Sequence, residues 1–105
     1  MIDPEDAEKA LTFLRETAQA VGALTEQARL KAHMLKYTEA LLVKGQHNQG
    51  LAVGICKEYA RADDRYLAAI QEDAEAAAEL IGLNERRDTA KITISLYQSM
   101  VKDRM

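Results

Sequence analysis

Apolar side chains return along the first part of this chain at alternating steps of three and four. They run Ala7, Leu11, Leu14, Ala18, Val21, Thr25, Ala28, Ala32, Leu35 and Leu42, with Glu39 as an interruption. That is heptad spacing, and it predicts a long helix with a coiled-coil-like seam. A neighbouring stripe joins in the second half through Leu30, Met34, Tyr37 and Leu41. The apolar face there is wider than a strict two-position seam. The start is marked by Asp3 as a cap, Pro4 in the first helical position, and Glu5 and Asp6 in the positive first turn.

A second periodic segment opens near Leu51. Its seam reads Ala52, Ile55, Tyr59, Ala62, Tyr66, Ala69, Asp73, Ala76 and Leu80, and continues through Leu83, Arg87, Ala90, Ile94, Tyr97 and Val101. Beside it run Cys56, Ala60, Leu67, Ile70, Ala74, Ala77 and Ile81. The side chains expected to form the core are therefore Leu11, Leu14, Val21, Leu35, Leu42, Ile55, Tyr59, Tyr66, Ile70, Leu80, Leu83, Ile94, Tyr97 and Val101. Asp73 stands on the seam, where a polar group sets register at a cost in stability.

Three glycine positions decide the boundaries. Gly22 is followed by Ala23 and Leu24 with no Pro, Asn or Asp nearby, and one interior glycine costs a helix only about 1 kcal/mol, so the first helix is expected to continue. A break or bend at Gly22 with a restart at Thr25 is the alternative. Gly82 precedes Leu83-Asn84, a fair stop-and-restart signal. The heptad phase survives it, so continuation is favoured, with a bend or break at 82–84 as the competing reading. Between Gly45 and Gly50 the chain reads GQHNQG, where glycine and polar side chains coincide as a turn requires. The expectation is an all-α single domain over 1–105, a long antiparallel helical hairpin. It has helices over about 4–43 and 51–102, joined by a connector at 45–50.

Composition agrees with that class. Alanine occurs 18 times, Trp never, and Phe and Pro once each. This favours helices over sheets, since strands draw on β-branched and aromatic residues. Wide apolar faces on only two helices leave part of each face without a partner. A homodimer forming a helical bundle supplies one, and a tail folded back at Gly82 is the alternative. The net charge of -3 gives no bulk attraction to nucleic acid or membrane. Its distribution is uneven: counting Asp, Glu, Lys and Arg, residues 1–23 carry -3, 24–50 carry +2, 51–83 carry -4 and 84–105 carry +2. With one cysteine, no signal-peptide pattern and no apolar run long enough to span a bilayer, a cytoplasmic location is expected, with no disulfide and no membrane partner.

The candidate chemistry is thin. His33, His47 and Cys56 form no His-x-x-x-His, Cys-x-x-Cys or Glu-x-x-His pattern, so no metal and no cofactor are expected. Cys56 reads as a small hydrophobe beside Ile55; as a nucleophile it would need a base, for which His47 is the candidate. Glu72, Glu75 and Glu79 share a helix face that reads as hydrated surface. No phosphate-binding glycine loop is present. For nucleic acid the candidate contacts are Arg86, Arg87, Lys91, Lys102 and Arg104, diluted by Glu85, Asp88 and Asp103. Gln46, His47, Asn48 and Gln49 form an accessible tip for a partner. The chain is expected not to be an enzyme.

The sequence Asp6-Ala7-Glu8-Lys9-Ala10-Leu11 with Leu14, followed by Asp64-Arg65-Tyr66, Leu80, Arg86-Arg87, Ala90, Ile92 or Ile94, and Gln98-Ser99, resembles small uncharacterised all-helical proteins of tailed phages and prophages. Such proteins are often encoded near replication and recombination genes. The resemblance covers nearly the whole chain and implies a phage accessory role with no catalytic residues to carry over. Gln98-Ser99 replaces an arginine-serine pair of that group, which weakens a terminal DNA contact. The leading expectation is a non-enzymatic protein that binds or scaffolds a protein partner in DNA replication or recombination, as a homodimer. The alternatives are direct nucleic-acid binding through the C-terminal basic arm, and inhibition of a host enzyme by the acidic helix surface.

Overall fold

The computed structural model describes residues 2–104. Three helices account for nearly all of them: α1 over Pro4–Asn48, α2 over Val53–Ala62 and α3 over Asp64–Asp103. Helix α1 starts as its sequence dictates. The Asp3 carbonyl accepts the amides of Asp6 and Ala7 at 3.0 and 3.2 Å, and the Asp6 carboxylate accepts the Asp3 N–H at 3.1 Å. This is the reciprocal half of a capping box. Gly22 lies inside α1 and Gly82 inside α3, so neither glycine interrupts its helix.

The connector differs from the expected 45–50. Gly45, Gln46, His47 and Asn48 continue α1, and the turn lies over residues 49–52. Gly50 carries the positive φ of 88°. Its N–H reaches the His47 carbonyl at 2.9 Å, and the Leu51 N–H reaches the Gln46 carbonyl at 3.4 Å. Those two bonds make a Schellman motif with Gly50 in the left-handed position just past the helix. Closing the helix there satisfies its last carbonyls, and this outweighs the cost of about 1 kcal/mol for a glycine at position 45.

The break that does occur is at Asp63, between α2 and α3. Its backbone is extended, with φ -72° and ψ 138°. Its carbonyl accepts the amides of Tyr66 and Leu67 at 3.0 and 3.1 Å. Its carboxylate takes the Arg65 N–H at 2.8 Å, as a helix N-cap does, and also holds the Arg65 guanidinium through two bonds of 3.0 Å.

The chain divides into two compact units. The first comprises residues 1–24 and 79–105, with Ala7, Ala10, Leu83 and Ala90 buried. Leu14, Thr17, Val21 and Leu24 of α1 and Leu80, Arg87, Ile94 and Tyr97 of α3 are half-buried. The second unit, residues 25–78, buries Leu42, Cys56, Ala60 and Ala76. There Ala28, Lys31, Leu35 and Thr38 of α1 are half-buried, as are Tyr66, Ala69 and Asp73 of α3. Lys31 pairs with Glu72 at 3.2 Å and Glu39 with Arg61 at 3.4 Å. Partner numbers fall as α1 advances, so in this unit α1 runs antiparallel to the α2–α3 arm. Alanine dominates these cores, so each buried contact removes little apolar area from water.

Candidate functional site

The seam of α1 has one line in the expected place and one displaced. Ala7, Leu14, Val21, Ala28, Leu35 and Leu42 all face inward to some degree. The companion line is Ala10, Thr17, Leu24, Lys31 and Thr38, each one residue before the expected line; of that line Leu11, Ala18 and Ala32 are exposed, while Thr25 and Glu39 are half-buried beside Leu24 and Thr38. Leu11 is consequently exposed. On α3 the expected seam holds from Tyr66 to Tyr97, while Ile70 flanks it and Val101, in the last turn, is exposed. On α2 the break at Asp63 shifts the phase by one residue. Cys56 and Ala60 point inward, and Ile55 and Tyr59 point out at 45% and 56% exposure.

These shifts leave an apolar surface on the second unit. Leu30, Met34, Tyr37 and Leu41 recur at four-, three- and four-residue steps, so they stack along one side of α1. All four are exposed, Tyr37 the most at 57%. A shallow groove of about 390 Å³ runs along this side, lined by Met34, Leu41 and Leu42 of α1 and by Ala68 and Ala69 of α3. Arg65 and the Lys31–Glu72 pair stand at its polar edge. On helix geometry Ile55 and Tyr59 occupy the corresponding side of α2, away from Arg61 and its partner Glu39.

The five basic candidates do not make one stripe. Arg87 turns into the first unit, where its guanidinium donates to the Leu14 carbonyl at 2.8 Å and to the Thr17 hydroxyl. Lys91 stands 3.9 Å from Asp88 on its own helix. At about 100° per residue, Arg86 lies on one flank of α3, and Lys91 and Lys102 lie on the other. Arg104 follows the end of α3. Of the four tip residues, His47, Asn48 and Gln49 are exposed and Gln46 is half-buried.

The acidic face is partly neutralised: Glu72 by Lys31, and Asp63 by Arg65. The paired guanidinium and the amide of Arg65 hold the Asp63 carboxyl below its ordinary range, and the same pair raises Arg65. Cys56 is fully buried, and its Sγ lies 3.4 Å from the Leu51 carbonyl. His33 is exposed. Among the described residues no group of three or more His, Cys, Asp or Glu side chains could hold a metal ion, and no helix is long and apolar enough to cross a membrane.

The phase shift at Asp63 is the feature that sequence reasoning missed. Its signal was present in Ala62-Asp63-Asp64-Arg65, an N-cap aspartate followed by an acidic first helical residue. Compared with protein families, curated proteins and solved structures, the chain matches none of them.

Proposed function

We propose that this chain is a non-enzymatic accessory protein that pairs with itself and presents helix faces to a protein partner. The observation that carries this reading is the exposed stripe Leu30–Met34–Tyr37–Leu41. Its area supports the same conclusion. The chain exposes 7764 Å², against roughly 5,900 Å² for an ordinary folded monomer of its mass. It hides roughly 54% of the surface of its unfolded chain, less than the ~60% typical of a 60-residue domain. The excess of roughly 1,900 Å² is of the size that a protomer of an obligate dimer covers. The resemblance to phage and prophage proteins supplies the setting: host cytoplasm, with a partner in DNA replication or recombination.

Light scattering during size exclusion, over a concentration series, tests the pairing. The expected result is a dimer that Tyr37→Glu converts to a monomer with unchanged helix content. A wild-type monomer at every concentration would sink it. Affinity capture from the host tests the partner: a replication or recombination protein should be recovered with the wild type. Capture of nucleic acid alone would replace this reading with direct binding.

A further inference from the structure

On the other side of the α1 seam, the second unit carries a larger groove with a different chemistry. Ala40 and Val43 of α1 and Val53, the first residue of α2, supply its apolar lining, and its volume is about 520 Å³. Lys36, Lys44, Lys57 and His47 stand around that lining. None of these four side chains has an ion pair or hydrogen bond among the described residues. The carboxylate in the lining, Glu39, is engaged by Arg61 at 3.4 Å. Three lysine charges therefore surround an apolar recess without compensation, in a chain whose net charge is -3. Helix α2 starts here with no acidic residue in its first turn and no side chain on its cap, so nothing offsets the positive end of that helix.

We propose that this groove docks an acidic amphipathic peptide segment of a partner protein. An apolar side chain of the segment rests between Val43 and Val53, and carboxylates on either side of it meet Lys44 and Lys57. The volume suits a small number of side chains, and the alternation of apolar lining and cationic rim matches that pattern of residues. Nucleic acid fits less well. The lining is aliphatic apart from the His47 imidazole and offers no Phe, Tyr or Trp ring on which successive bases could stack. A membrane surface fits less well too: Val53 is the only large apolar side chain of the lining that stands exposed, whereas a membrane-seeking face carries a row of them. The site lies on a different face from the pairing stripe and does not require pairing.

The test is selection of a random-peptide display library against the full chain, with binding of the enriched peptides then measured by fluorescence anisotropy. The enriched sequences should place Asp or Glu on both sides of an apolar residue. Lys44→Glu and Lys57→Glu should each weaken binding about tenfold, while Lys102→Glu leaves it unchanged. Thermal melting of each variant guards against loss of fold, and Val53→Asp gives a second route to loss of binding. No enrichment, enrichment of peptides without carboxylates, or indifference to both lysine reversals would overturn the proposal. So would oligothymidylate or phosphatidylserine vesicles binding through the same lysines when acidic peptides do not. Tyr37→Glu should retain peptide binding, which separates this site from the pairing face; loss there would overturn the assignment.

Discussion

Arg87 on α3 and Thr17 on α1 are matched as donor and acceptor. The Thr17 hydroxyl donates its own proton to the Phe13 carbonyl at 2.7 Å. That leaves a lone pair for the Arg87 guanidinium, which also reaches the Leu14 carbonyl at 2.8 Å. Both side chains are half-buried. A charged group with two acceptors inside a seam ties one helix to a particular carbonyl of the other, as apolar contacts between alanines cannot.

Arg87→Ala should therefore destabilise the first unit by about 1.5–3 kcal/mol, the range for hydrogen bonds to a charged group. Thr17→Val should cost about 1 kcal/mol, because the Leu14 bond survives. Urea denaturation of both single variants and the double variant reads the coupling directly. A coupling energy near zero would mean that the pair is incidental.

Asp73 has the opposite sign. It occupies the α3 seam, half-buried, with no ion pair or hydrogen bond among the described residues. A polar group there weakens the seam, so Asp73→Leu should stabilise the chain by about 1–2 kcal/mol, read as a raised urea midpoint. A lowered midpoint would show that the carboxylate has a stabilising role.

Glycine to alanine should likewise split by position. Gly22, Gly45 and Gly82 are helical, with nothing within 4 Å of an added Cβ, so each substitution should stabilise by about 0.5–1 kcal/mol. Gly50→Ala also meets open space, but its φ of 88° should make it destabilising by about 1–2 kcal/mol. Thermal melting of the four variants decides the matter.

Asp63 links stability to acidity. Its carboxyl is held below its ordinary range by Arg65, so the ionised form binds its partners in the folded chain. That contribution is fully present above about pH 4, where the unfolded carboxyl is also ionised. It is lost as pH falls through the depressed folded value. Asp63→Asn keeps a capping side chain and removes the charge. The wild type should exceed it in urea midpoint near neutrality, with the difference closing in acid. A constant difference across that range would exclude the linkage.

How far the sequence could be read follows from which residues competed for each position. The α3 seam from Tyr66 to Tyr97 was legible because one heptad line runs through it unopposed. On α1 the choice between Leu11 and Ala10, or between Ala32 and Lys31, was decided by long-range contacts. Lys31 turns toward Glu72 and Thr17 toward Arg87, and no count of apolar residues contains those partners. On α2 the phase depended on a local cap at Asp63, which overrode a periodicity that appeared continuous. The lysine-rimmed groove was illegible for a related reason. Lys36 and Lys57 belong to different helices and come together only because Gly50 sets where the turn falls.

Cys56 is the chain's only thiol and is fully enclosed beneath the Schellman turn, its Sγ directed at the Leu51 carbonyl. A thiol reagent can reach it only when that end of the second unit opens. Its labelling rate under native conditions is therefore a clock for local unfolding. Divided by the intrinsic reactivity of a free thiol, that rate gives the opening equilibrium from a single kinetic trace. Any ligand that steadies the turn must slow the clock in proportion to its occupancy.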